Sequence, residues 1–257
     1  MTEDFEERFI GVIRHQLQGL SNKVLNDFSK ENYESELESL QTDPVYEKFS
    51  FNRAEYVLIR FMGRISISVG RRLGEIYDKV PRFAAAARFN LAPEQIAPVL
   101  DGLELDIGLN FSQLSQADQQ HTAAVYKKYI GSGLDTPGLG IEIRYNFNPN
   151  DSSRLRKDVH MGELLSQSGL KPIYLIFSAI SPRQDAISRL TNSGWTFLIG
   201  EPAIQFISEL LGMDIQSILD KPVIKEEISK IVDGIMSDLV KSHAFQEVAK
   251  KHKGEIT

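Results

Sequence analysis

Asp106 and Glu142 are the residues of this 257-residue sequence whose type and setting point most directly to chemistry. Each interrupts an apolar alternation, the first in LELDIGLNF (103–111) and the second in GLGIEIRYNF (138–147). Alternation with a period of two predicts strands, with each carboxylate on the face opposite its Leu and Ile neighbours. Two carboxylates held close together repel unless positive charge lies between them. A divalent cation such as Mg2+ supplies that charge, because it prefers oxygen ligands and keeps waters, one of which it polarises towards hydroxide. Arg144 follows Glu142 by two residues, so it shares that face and is placed to neutralise a phosphate. In the alternative reading the acids pair with Arg144 or face solvent at a sheet edge.

Other chemistries lack their residues. The sequence has no cysteine, which excludes disulfides, thiolate metal sites and a cysteine nucleophile. Its histidines, His15, His121, His160, His243 and His252, show no metal-ligand spacing. GSGLDTPGLG has loop glycines without the spacing of a dinucleotide turn, and no Walker-type lysine follows a glycine run. Ser178 and Ser181 follow an apolar segment but lack the glycine pattern of a nucleophile elbow.

The acids need a core to position them, and a hydrophobic content of 42% with 25% charged residues is that of a globular chain able to bury one. No run of about 18 apolar residues is present, and MTEDFEERF begins acidic, so a soluble, cytoplasmic protein with no membrane partner is expected. Phe5, Phe9, Ile13, Leu17, Leu20, Val24 and Phe28 predict a helix over 3–29, followed by SKENYESELESLQTDP, which reads as an acidic, turn-rich connection. A long basic helix then runs from Asn52 to near Pro81, and a shorter one covers 92–100. After the strand that carries Asp106 come a helix over 112–131, the strand with Glu142, a helix ending near Gln167 that Asp151 or Ser152 would cap, and a buried strand in KPIYLIFSAI. A helix stopping at Gly194, a strand in WTFLIG and a helix over 202–211 follow. Ile224, Ile228, Ile231, Ile235 and Leu239 predict a last helix before a frayed KKHKGEIT tail. Helices alternating with buried strands predict an α/β fold, with a mixed central sheet flanked by helices. The expected organisation is a single domain, with an N-terminal helical segment (1–50), a core (52–212) and a C-terminal helical segment (213–257).

Charge is unevenly spread. Residues 51–190 hold 17 Lys and Arg against 14 Asp and Glu, whereas the rest of the chain holds 12 against 21. Of 14 arginines only Arg8 and Arg14 lie outside that central stretch, which permits an anionic ligand there although the chain as a whole carries −6. A solvated charged surface explains the same skew.

The order of helix, strand with Asp106, strand with Glu142-x-Arg144, helix, strand, helix and strand resembles the core of the PD-(D/E)xK nucleases. Within that superfamily GIEIRYNFNPNDSSRLRKDVHMGELL, KPIYLIFSAISPR and WTFLIG are similar to type II restriction endonucleases, the ApaLI-like group in particular, across residues 52–212. The resemblance implies Mg2+-dependent, sequence-specific cleavage of double-stranded DNA, with Asp106 and Glu142 as metal ligands and Arg144 at the position usually held by lysine. That arginine departs from the pattern, since a guanidinium stabilises phosphate charge but does not act as a general base. Lys157, on the following helix, is the candidate substitute. Glu75 on the long helix resembles a glutamate that some members add to the metal site, with a surface salt bridge as the alternative. Arg154, Arg156 and Lys157 would meet DNA phosphates, and Gln116, Gln119, Gln120 and Lys127 are candidates to read base edges. A palindromic target implies a homodimer, for which the stripes of Phe5, Phe9 and Ile13 and of Ile224, Ile228, Ile231 and Ile235 are candidate surfaces. The other functions considered are a DNA-binding protein that keeps this fold without turnover and a nuclease for repair or branched DNA.

Overall fold

The computed structural model describes residues 2–147, 152–180 and 184–253. In chain order the helices are α1 (Thr2–Asp27), α2 (Lys30–Thr42), α3 (Pro44–Lys48), α4 (Ala54–Phe89), α5 (Pro93–Ile96), α6 (Gln116–Ile130), α7 (Ser152–Gln167), α8 (Gln184–Asn192), α9 (Glu201–Leu211), α10 (Ile215–Leu219), α11 (Pro222–Lys241) and α12 (His243–Lys253). The strands are β1 (Val99–Leu100), β2 (Leu103–Glu104), β3 (Ile107–Asn110), β4 (Gly138–Arg144), β5 (Lys171–Ile176) and β6 (Thr196–Ile199). None of the described helices is long and apolar enough to cross a membrane. The chain divides into two compact units, Met1–Leu73 with Leu219–Thr257, and Gly74–Ile218. The core expected over 52–212 therefore loses its first stretch, because Val57, Phe61 and Ile65 of α4 pack into the cluster of the first unit.

That first unit is helical. α1 packs along α11, burying Phe9, Ile13, Leu17 and Leu20 on one side and Ile224, Ile235 and Leu239 on the other. The apolar stripes expected to meet a second copy thus close within the chain, with Arg14 forked onto Glu227 and Lys221 on Glu6 alongside them. Phe5 lies outside the described side chains. The expected acidic connection is also corrected, since it folds as α2 and α3. Tyr33, Leu37 and Leu40 recur at helical spacing among the acids and face the core. Ser29 caps α2 by accepting from Asn32 N, and Asp43 caps α3 ahead of Pro44. The expected frayed tail is helical through Lys253 as α12, where Ala244 joins the same cluster.

The second unit is α/β. Its sheet has the order β3-β4-β5-β6, with β3 and β4 antiparallel and β4, β5 and β6 parallel, so it is mixed and flanked by helices as expected. β4 lies second in that order and is buried almost throughout, which is why it reads as apolar with isolated polar intruders. α7 and α8 bury Leu155, Met161, Leu165, Ala186 and Leu190 against Tyr174, Ile176 and Trp195, while α9 packs on β5 and β6. Three local expectations are corrected. α4 continues through Pro81 to Phe89, because Ile76, Val80, Ala84 and Phe89 keep burying apolar surface beyond it, and that offsets the ~3 kcal/mol cost of an internal proline. The helix expected over 92–100 shrinks to α5, and Leu100 pairs with Leu103 in a hairpin whose two turn residues, Asp101 and Gly102, both have positive φ, as a type I′ turn demands. LELDIGLNF is two strands, not one, with a bend at Asp106 between them.

Candidate active site

The bend at Asp106 turns the carboxylate inwards, where it takes over the hydrogen bonding of a strand that has just begun. Asp106 Oδ2 accepts from the backbone N–H of Ile143 at 2.6 Å and from Arg144 Nη1 at 3.3 Å, and Oδ1 accepts from Arg82. Glu142 stands opposite Tyr174 in the β4–β5 register, so both lie on the face covered by α7. Arg144 contributes one nitrogen to Glu142 Oε1, and the same Nη2 lies 3.6 Å from Asp158 Oδ1 on α7. Its guanidinium carbon sits 5.9 Å from the centre of the Tyr174 ring, and the Tyr174 hydroxyl donates to Asp158 Oδ2 at 2.9 Å. From α4, Asp78 and Arg82 lie one turn apart. Arg82 bridges Asp78 at 2.9 Å, Glu104 and Asp106.

Charge is concentrated here out of water. Asp106, Glu142 and Asp158 expose 3%, 6% and 6% of their surface, too little to be stabilised by solvent. Five carboxylates, those of Asp78, Glu104, Asp106, Glu142 and Asp158, face two guanidiniums, those of Arg82 and Arg144, so acids outnumber cations here. Burial first, and the Asp106 charge second, push the Glu142 carboxyl well above its usual range. The same two causes raise Asp78 to about 7. Burial also raises Asp158 and the Tyr174 hydroxyl. For Arg82 and Arg144 burial works against charge, but the surrounding carboxylates outweigh it and keep both guanidiniums protonated.

A cleft of about 360 Å³ opens beside Glu142 and Arg144. Its wall includes Glu104, Arg154, Lys157 and Asp158, so Lys157 and Arg154 join the acids as the sequence suggested. Arg156 is exposed on α7 and does not line the cleft. Glu75 pairs with Lys79 at 2.8 Å, and the α4 acid whose carboxyl feels the Asp106 charge is Asp78, one turn further on. Asp151 lies outside the described residues, as does Ser181.

Among the described residues no three His, Asp or Glu side chains converge as a ready-made metal cage. A two-carboxylate Mg2+ site, completed by water, needs no such cage. Two features fit it. Among the described residues Glu142 Oε2 is buried without a hydrogen-bond partner, an oxygen with a lone pair to give, and the acids around it outnumber the guanidiniums, so added positive charge is favoured. Asp106 and Glu142 would hold the ion.

Asp78, Arg82, Asp158 and Tyr174 escape a reading of the sequence alone. Asp78 and Arg82 carry only the (i, i+4) spacing of an ordinary helix pair. Asp158 had a usable signal, since it falls at core spacing with Leu155, Met161 and Leu165 and is therefore a polar intruder in an apolar helix face, as Asp106 and Glu142 are in their strands. In comparisons with known proteins, no family model matches this sequence, and neither a curated protein nor a solved structure gives a significant match.

Proposed function

We propose that the chain is a Mg2+-dependent endonuclease that hydrolyses phosphodiesters of double-stranded DNA at specific sequences, in the manner of the type II restriction enzymes it resembles. The observation that carries this reading is the meeting of Asp106, at the bend before β3, and Glu142, in the antiparallel neighbour β4, on one guanidinium beside a cleft walled by Arg154 and Lys157. The succession of α4, β3, antiparallel β4, α7 and parallel β5 agrees with the order on which the resemblance rests.

Bound between Asp106 and Glu142, Mg2+ would supply a polarised water and a Lewis acid for a phosphoryl oxygen. The chain's own residues do the rest. Arg144 carries permanent charge to the developing negative phosphate. Lys157 offers the amine that Arg144 lacks, and an amine, unlike a guanidinium, is able to accept a proton from the attacking water. Arg154 on the same wall holds a neighbouring phosphate. Cutting both strands of a palindrome assigns a homodimer as the acting form.

The deciding experiment is incubation of supercoiled plasmid with the protein and Mg2+, with and without EDTA, followed by sequencing of the ends. Linear product with fixed ends, lost with EDTA, is expected. The bridging of both acids by Arg144 also favours a second reading, a DNA-binding protein without turnover, which would retard plasmid DNA and leave it uncut under every metal condition.

A further inference from the structure

We propose that Asp158 is the positioning residue for Arg144, the group that receives its guanidinium when a cation takes up Asp106 and Glu142. This rests on the reading of those two acids as metal ligands. Arg144 Nη2 is shared between Glu142 Oε1 and, at 3.6 Å, Asp158 Oδ1. A cation arriving on Glu142 repels the guanidinium, and a buried guanidinium that loses its carboxylate must find another. Asp158 is the carboxylate that lies next to it on the cleft side. It is fixed for that task, since Oδ2 accepts from the Tyr174 hydroxyl at 2.9 Å and its backbone carbonyl accepts from Trp195 Nε1 at 2.7 Å. The charge of Arg144 and, less strongly, that of Arg154 act on it. The hydrogen bond to Tyr174 would be served as well by a neutral amide. The contact with Arg144, supported more weakly by the charge of Arg154, is what calls for the negative charge, and burying that charge is otherwise costly.

The test is calorimetric titration of the DNA-free protein with Mg2+, beside plasmid cleavage. Asp158→Asn keeps an acceptor for Tyr174 but removes the charge, so Arg144 stays on Glu142 and Mg2+ binding weakens by about tenfold. Asp158→Glu restores it. In an Arg144→Gln background the Asp158→Asn change leaves Mg2+ affinity unaltered, because no guanidinium remains to be drawn away. Weakening that persists in that background overturns the proposal, as does wild-type affinity in Asp158→Asn alone. Should Asp158→Asn fail to fold, Tyr174→Phe, which releases Oδ2, weakens Mg2+ binding in the same direction, and an unchanged affinity there overturns the proposal. A wild-type protein that binds no Mg2+ overturns the metal-site reading and this proposal together, whereas binding without cleavage overturns only the nuclease reading.

Discussion

Asp106 accepts the backbone N–H of Ile143 at 2.6 Å, a hydrogen bond that ties the bend before β3 to the peptide between Glu142 and Arg144. One carboxylate oxygen therefore serves the backbone of the neighbouring strand while the group as a whole supplies charge. Shape and charge are separable there by substitution.

Asp106→Asn keeps an acceptor for Ile143 but turns an NH2 towards the Arg82 guanidinium, so it spares the backbone hydrogen bond while losing that ion pair. We expect its unfolding free energy, from denaturant titration, to fall by about 1–2 kcal/mol, less than for alanine, with cleavage lost. Asp106→Ala leaves a buried N–H and part of two guanidiniums without a partner, and should lower stability by about 3 kcal/mol besides abolishing cleavage. Near-normal cutting by either variant, or by Glu142→Ala, would refute the metal assignment.

Arg144→Ala should lower turnover by about 100-fold or more, the loss seen when a fixed charge facing a transition state is deleted. Arg144→Lys should keep substantial activity, since an ammonium supplies charge at that position. Single-turnover cleavage time courses separate this from a binding defect. If the lysine variant and Lys157→Ala are both inactive, the phosphate charge is met by a different geometry, in which neither side chain is interchangeable.

Much of this site was legible in the sequence because a carboxylate in an apolar strand is costly, and so it stands out against a periodic background. Asp106, Glu142 and Arg144 share one network for that reason. The alternation of helices and buried strands was legible through the same periodicity, with pairing that is at least partly parallel. What was not legible depends on tertiary contact. Nothing local says that Pro81 will be overridden by the burial of Ile76, Val80 and Ala84, and so nothing local extends α4 through the stretch that carries Arg82. Glu75 and Asp78 are both acids on one helix, three residues apart, and only packing decides that Asp78 shares Arg82 with Asp106. The amphipathic stripes of α1 and α11 read equally well as a dimer surface or as each other's partner.

Asp78 makes a prediction about pH. Its carboxyl is raised from an ordinary 3.8 to about 7 by burial and by the neighbouring Asp106 charge. The folded protein therefore holds a proton that the unfolded chain gives up above about pH 4. Folding stability from this group falls as pH rises between about 4 and 7, and is lost above about 7. Thermal unfolding of the metal-free protein should show a melting temperature that declines across that window, and Asp78→Asn, which stays neutral throughout, should flatten the decline. A slope unchanged in Asp78→Asn would show that another group is responsible.

Gly162 tests the support beneath Asp158. A β-carbon there would stand 2.6 Å from Trp195 Nε1 and 2.8 Å from the Ser193 carbonyl, and neither the indole nor the backbone is a flexible end able to yield cheaply. Gly162→Ala should gain helix propensity in α7 yet lose about 1–3 kcal/mol overall, because overpacking pushes α7 away from the sheet. Trp195 is the single tryptophan of the chain, so its fluorescence reports this one contact. In the wild type its N–H donates to the Asp158 carbonyl at 2.7 Å in a buried setting, which predicts emission insensitive to external quenchers. In Gly162→Ala that hydrogen bond is strained or broken, the emission should move to the red, and iodide should quench it. Because Asp158 moves with α7, cleavage should fall together with the spectral shift. An alanine variant with unshifted emission and undiminished stability would mean that α7 tolerates displacement here, and that Asp158 is not held by the Trp195 contact.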